Sequence, residues 1–184
     1  MPQSLRLLLP ALLLTAPVAR AQGTPEEAAV RMSAAQTQGD WAGAARMMHP
    51  ASLRQLRDLF SPLMASQGGA VVATRLFGLT SAAEFAATPD TVLFARLMKS
   101  VIESEAMLKQ ALSSTVVTPL GHVRGGGDTV FVVTRQRMTV ETIEITTFPV
   151  MPFLKEGDRW WGLLTADLTN IAAMLKRTLG GRES

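Results

Sequence analysis

Apolar residues recur at spacings of three and four from about Thr24 to Leu112, then at alternate positions from about Thr115 to Asp167. The first spacing predicts amphipathic helices and the second predicts strands. The chain therefore reads as a run of helices followed by a sheet. Thr24-Pro25-Glu26-Glu27 opens the first helix, with Thr as cap, Pro at the first helical position and two acids at the positive end of the dipole. It is expected to run to about Gln38 and stop at Gly39. Asp40 caps a second helix, Trp41 to Met48, which His49-Pro50 closes. Ser52 is expected to cap a third, with Leu53, Leu56, Leu59, Phe60 and Leu63 on one stripe and Arg54, Arg57 and Asp58 toward solvent. Gln67-Gly68-Gly69 interrupts the pattern, and irregular or short helical structure is expected over Val71 to Phe85. One long amphipathic helix follows from Thr88-Pro89-Asp90 to Leu112, with Glu105 and Lys109 as a favourable pair.

Four strands are expected next, over Val116–Val123, Thr129–Thr139, about Thr142–Leu154 and Arg159–Thr165. The glycine turn Arg124-Gly125-Gly126-Gly127-Asp128 and the turn Glu156-Gly157-Asp158 are too short for parallel crossovers, so the sheet is antiparallel. A last helix is expected over Leu168–Leu179. Successive strand side chains point to opposite faces, so Trp160 lies with Gly162 and Leu164, and Trp161 with Leu163 and Thr165. Both faces of that strand are expected to be at least partly covered. The same is expected of the second strand, where Val130 and Val132 oppose Phe131 and Val133. The fold class is α+β, with amino-terminal helices packed on a curved antiparallel sheet of about four strands and a carboxyl-terminal helix added.

A capped first helix, the segment "GDWAGAARMMHP", further helices, and long antiparallel strands ending in "EGDRWWGLL" resemble the nuclear transport factor 2-like superfamily, the cone-shaped or ketosteroid-isomerase-like fold. The resemblance spans about Thr24 to Asp167. The segment Gln67–Phe85 with the helix after it, and the closing helix, depart from the usual pattern. The resemblance implies a strongly bent sheet wrapped around helices, with an apolar pocket at its open end. That superfamily contains enzymes, transport proteins and binding modules, so the fold alone selects no function.

Composition adds a compartment. Leu7–Val18 is an apolar run after one positive charge, and Ala19-Arg20-Ala21 has the form of a signal-peptidase site, so residues 1–21 read as a cleaved export signal with cleavage after Ala21. The apolar run is too short to span a bilayer, so no stable membrane insertion is expected after cleavage. Residues 22–184 then form a single domain that is periplasmic or secreted. The formal charge is +3, but two of the 18 basic residues, Arg6 and Arg20, lie in the signal, leaving 16 against 15 acids. With no basic run and no tyrosine, nucleic acid is excluded as a partner. The absence of cysteine removes thiol catalysis, thiolate metal sites and disulfides.

The candidate chemistry is sparse. His49 and His122 are the two histidines. Asp40 with His49 could form an acid–base pair, yet the two positions are accounted for by a helix cap and a helix end. No metal motif or cofactor fingerprint occurs, and Gly125–Gly127 lacks the Lys-Ser or Lys-Thr of a phosphate loop. Arg135 and Arg137 share a strand face with Phe131 and Val133. They are either donors to an anionic ligand at the mouth of the cone or partners in a cross-strand ion pair with Glu144. The candidate ligand-binding set is Arg135, Arg137, Trp160 and Phe131, with no catalytic residue and no metal. Methionines such as Met47, Met48, Met64, Met98 and Met107 read as core filling or as an adaptable ligand surface. The preferred function is a non-enzymatic exported binding or accessory protein for a small apolar or anionic ligand. Two alternatives stay open: a pocket enzyme of isomerase or dehydratase type, and a structural protein that binds an envelope partner or a second copy of itself.

Overall fold

A computed structural model of the chain describes residues 23–165 and Asn170. The expected export signal and the closing helix, apart from Asn170, lie outside the described residues. Helices come first: α1 (Pro25–Thr37), α2 (Trp41–Met47), α3 (Pro50–Met64), α4 (Gly69–Phe77), α5 (Ala82–Ala87), α6 (Asp90–Glu103) and α7 (Ala106–Ser113). An open antiparallel sheet follows, built from β1 (Val116–Arg124), β2 (Thr129–Val140), β3 (Ile143–Thr147), β4 (Val150–Glu156) and β5 (Arg159–Gly162). The α+β reading of helices packed on a curved antiparallel sheet is what the chain adopts. None of the described helices is long and apolar enough to cross a membrane.

Local chemistry sets the helix starts. The Thr24 hydroxyl accepts the Glu27 N–H at 3.3 Å, and the Asp40 carboxylate accepts the Gly43 N–H at 2.7 Å. The third helix begins two residues before the expected Ser52 cap. Pro50 has the right fixed φ for the first turn and no N–H to leave unpaired, while His49 Nδ1 accepts the Ala51 N–H at 3.2 Å. The Val71–Phe85 segment forms two short helices, with Gly78 at φ 60° ending the first and the Ser81 hydroxyl capping the second. The single helix expected from Asp90 to Leu112 divides at Ser104–Glu105. Glu105 is extended (φ −124°, ψ 107°), and its carbonyl starts α7 by accepting the Lys109 N–H. That change of direction brings the end of α7 to β2. There the Ser114 hydroxyl both donates to the Thr139 carbonyl and accepts its N–H, at 2.9 Å each.

The third expected strand is divided as well. Thr129–Val133 of β2 pairs with β4, and Gln136–Val140 pairs with β3, so β3 and β4 follow one another along the same edge. Phe148 and Pro149 separate them, because proline has no N–H for the ladder. The Pro149 carbonyl still accepts the Thr134 N–H at 3.0 Å. A register shift between Pro119 and Gly121 interrupts β1 opposite the same region. These two irregularities bend the sheet.

One side of the sheet carries the core. Val130, Val132 and Phe153 join Ala28, Ala29 and Met32 of α1, Leu56 and Phe60 of α3, and Leu93, Phe94 and Leu97 of α6 in one buried cluster. Arg57, expected at the surface, is drawn inward instead. Its guanidinium pairs with Asp90 at 2.5 Å and donates to the carbonyls of Phe85, Ala86 and Thr88, so one side chain satisfies the end of α5 and the start of α6. The adjacent tryptophans divide as alternation demands. Trp160 packs against the core and donates its indole N–H to the Gly23 carbonyl at 3.3 Å. Trp161 faces the other way, under the Arg159 guanidinium at 3.6 Å and edge-on to His49 at 6.1 Å. Both faces of β5 are covered, as expected. Those of β2 are covered unequally: Val132 and Thr134 are fully buried, whereas on the other face Val133 and Arg135 are half-buried and Phe131 is 37% exposed.

Candidate functional site

Among the described residues, one concavity is an apolar groove with a cavity of about 310 Å³ between the helices and the sheet. Met32 and Gln36 of α1 and Phe60 of α3 form one part of its wall, and Phe94, Leu97, Met98, Val101 and Ile102 of α6 form another. Met151, Pro152 and Phe153 of β4 supply the sheet side, and Met48, Leu163 and Thr165 complete it. The walls follow from periodicity. Leu97, Val101 and Met98, Ile102 are i, i+4 pairs along α6, and Met151 and Phe153 share the inward face of β4.

Among the described residues, Gln36 and Thr165 are the polar side chains of this wall, and no ionisable group lines it. The described part of the wall holds a ligand by burial and dispersion. Four of its residues are methionines: Met32, Met48, Met98 and Met151. Unbranched thioethers adjust to irregular shapes, so the wall can fit molecules of different outline. Met64, by contrast, is buried in the core, and Met107 is 62% exposed on α7.

The four residues expected to bind ligand do not meet at this groove. Phe131, Arg135 and Arg137 alternate with the buried Val130, Val132 and Thr134, which turns them to the opposite side of β2. Phe131 lies between Val123 and Pro152 in the register, Arg135 opposite Thr118, and Arg137 between Val116 and Thr146. The expected ion pair with Glu144 does not form among the described residues, because the register sets Glu144 opposite Thr139. Arg135 is half-buried, with Nε enclosed and without a hydrogen-bond partner. Trp160 faces the helix side but lines a separate recess with His122, Arg124 and Lys155, and the Lys155 ammonium lies 5.7 Å from its ring centroid.

The histidines have structural contacts. Because His49 Nδ1 accepts a backbone N–H, its neutral form carries the proton on Nε2, which lies 3.6 Å from Glu156. The His49 N–H also donates to the Gly162 carbonyl at 2.8 Å, next to the Met48–Gly162 bridge that binds β5 to the helices. A Cβ on Gly162 would lie 2.3 Å from Met32 Cε, so glycine permits this close approach. Asp40 caps α2, as expected, and lies outside the groove wall. His122 Nδ1 meets Glu26 at 2.6 Å, tying β1 to α1. Burial works to raise the Glu26 pKa, but the hydrogen bond and charge of His122, with help from its own backbone and Thr24, hold it below the ordinary carboxylate range. Among the described residues no cluster of His, Asp and Glu comes together as a metal site.

Reading the sequence missed Met32, Phe60, Val101, Ile102 and Met151 as site residues. Their spacing is that of any core stripe, and whether a stripe meets another stripe or a gap depends on the packing of distant elements. No protein-family model matches the chain, and neither does any curated protein or solved structure.

Proposed function

We propose that this chain is an exported, non-enzymatic binding protein that holds a small apolar molecule in the groove between α1, α3, α6 and β4. The observation that carries the reading is a cavity of about 310 Å³, a size suited to a small ligand, whose wall includes, among the described residues, four methionines and no ionisable side chain. The pocket-enzyme alternative is less well supported, since His49, Asp40 and the other described carboxylates lie outside this wall. Export is inferred from residues 1–21, and the order of helices and antiparallel strands supports kinship with the nuclear transport factor 2-like superfamily. An anionic ligand on Arg135 and Arg137 is the weaker reading, because those side chains lie on the far side of β2 from the groove.

Native mass spectrometry of the protein purified from its own source tests the reading. The expected result is a fraction of the chain carrying a small molecule. Met98→Trp and Ile102→Trp, which fill the groove from α6, should lose that mass while keeping the wild-type circular dichroism. Bare chain in the wild type, or retention by both filled variants, overturns it.

A further inference from the structure

We propose that a cationic trough running from α6 over α2 to the edge of β5 binds an extended segment of an acidic peptide, with the peptide's carboxylates at the rim and its apolar side chains on the floor. The trough consists of two recesses that join at Arg46 and Thr91, with cavities of about 500 and 550 Å³. Arg96 and Lys99 of α6 line the first, and Arg159 of β5 lines the second. Arg46, Arg96 and Lys99 are exposed, which places them at the rim. The floor is apolar, with the buried Trp41 in the first recess and the buried Met48 and Leu53 in the second. Among the described residues, Met48 alone is shared with the apolar groove, so the trough is independent of the ligand reading above.

The charges select an anion. Two described acids line the trough, and both have partners inside the chain: the Asp40 carboxylate caps α2, and Asp90 pairs with Arg57. Among the described residues, none of the four cations is in an ion pair. Arg96 makes a long contact with the Phe77 carbonyl at 3.4 Å, and its charge acts on Glu84. Arg159 is held beside α2 by stacking on Trp161 at 3.6 Å and by donating to the Arg46 carbonyl at 2.6 Å. Like charges gathered in this way repel, and a bound anion relieves the repulsion. The spacing selects an extended one. Thr91, at the junction, and Lys99 are eight positions apart on α6, a rise of about 12 Å. A single phosphate or carboxylate cannot reach along that length. Alternate side chains of an extended peptide lie about 7 Å apart on one side of its backbone. Acids at every second position therefore meet the rim while the apolar residues between them turn to the floor, where a polyphosphate or an anionic sugar chain has nothing to place.

Fluorescence anisotropy of a labelled peptide of alternating glutamate and leucine, titrated with the purified protein, tests the proposal. Saturable binding is expected, weakening several-fold as salt is raised. Arg46→Gln/Lys99→Gln should weaken it by roughly tenfold or more while keeping the wild-type circular dichroism, since both side chains are exposed. Arg31→Gln/Lys109→Gln removes the same charge from exposed positions outside the trough and should change binding little. Peptides with glutamine for every glutamate, or serine for every leucine, should each bind several-fold more weakly. Absence of binding, equal losses in the two variants, or undiminished binding of the glutamine peptide would overturn the proposal. Undiminished binding of the serine peptide, or displacement of the label by inorganic tripolyphosphate more readily than by unlabelled peptide, would make the occupant a polyanion without an apolar side and overturn it as well. So would a dimer, seen by sedimentation equilibrium, that Arg46→Gln/Lys99→Gln dissociates, because a second copy would then fill the trough.

Discussion

The two sides of the sheet are built from residues of similar type and have different surroundings. On the helix side, Val130, Val132, Thr134 and Phe153 are almost completely buried, and even the Thr134 hydroxyl has a partner in the Pro149 carbonyl at 3.3 Å. On the other side, Val123, Phe131 and Val150 are exposed among the described residues. Phe153 and Phe131 sit on neighbouring strands one register step apart, yet they are in different media. Side-chain type thus says little about stability here, and the side of the pleat on which it falls says a great deal.

Truncating the two phenylalanines tests that contrast most severely. Phe153→Ala should cost about 3–5 kcal/mol in a urea melt, because it removes a ring from a packed core that cannot fully collapse. Phe131→Ala should cost less than about 1 kcal/mol, as at other exposed positions. Similar losses would show that the outer side is covered in solution. Arg57→Ala extends the test to the helical layer. It strips the partner from Asp90 and from three carbonyls at once, and should cost about 2–4 kcal/mol. Arg57→Lys should recover only part of this, since an ammonium cannot reproduce the fork of donors.

The smallest effect concerns the polar tie between the two layers. The folded state holds the Glu26 carboxyl below its ordinary pKa, so its contribution is present above the ordinary carboxylate range and is lost as pH falls through the depressed value. Glu26→Gln should therefore flatten the acid limb of the stability–pH profile, by less than about 1 kcal/mol for this partly exposed pair, and leave the profile near neutrality almost parallel to wild type. An unchanged acid limb would show that the His122 contact is not maintained in solution.

Much of the fold was legible in short-range chemistry. Thr24 and Asp40 act as caps, Gly39 follows the end of α1, and the glycine turn between β1 and β2 lies where the beta-branched runs on either side require it. The misread places share a different cause. Arg57 looks like a solvated helix residue until α5 and α6 bring three carbonyls and Asp90 to it. The helix over Asp90–Leu112 looks continuous because nothing within it requires a break, and α7 departs in order to meet β2.

The candidate site was not legible for the same reason. Alternation correctly put Phe131, Arg135 and Arg137 on one face and Trp160 and Trp161 on two, but it could not say which face the helices would take. The residues alone determined the order of helices and strands, the antiparallel pairing, the caps and the turns, since each depends on neighbours within a few positions. Which side of the sheet became core, which stripe was left facing a gap, and which charges were drawn inward depended on the tertiary structure. Those outcomes depend on distant surfaces meeting in space, and a periodic pattern carries only the capacity for burial.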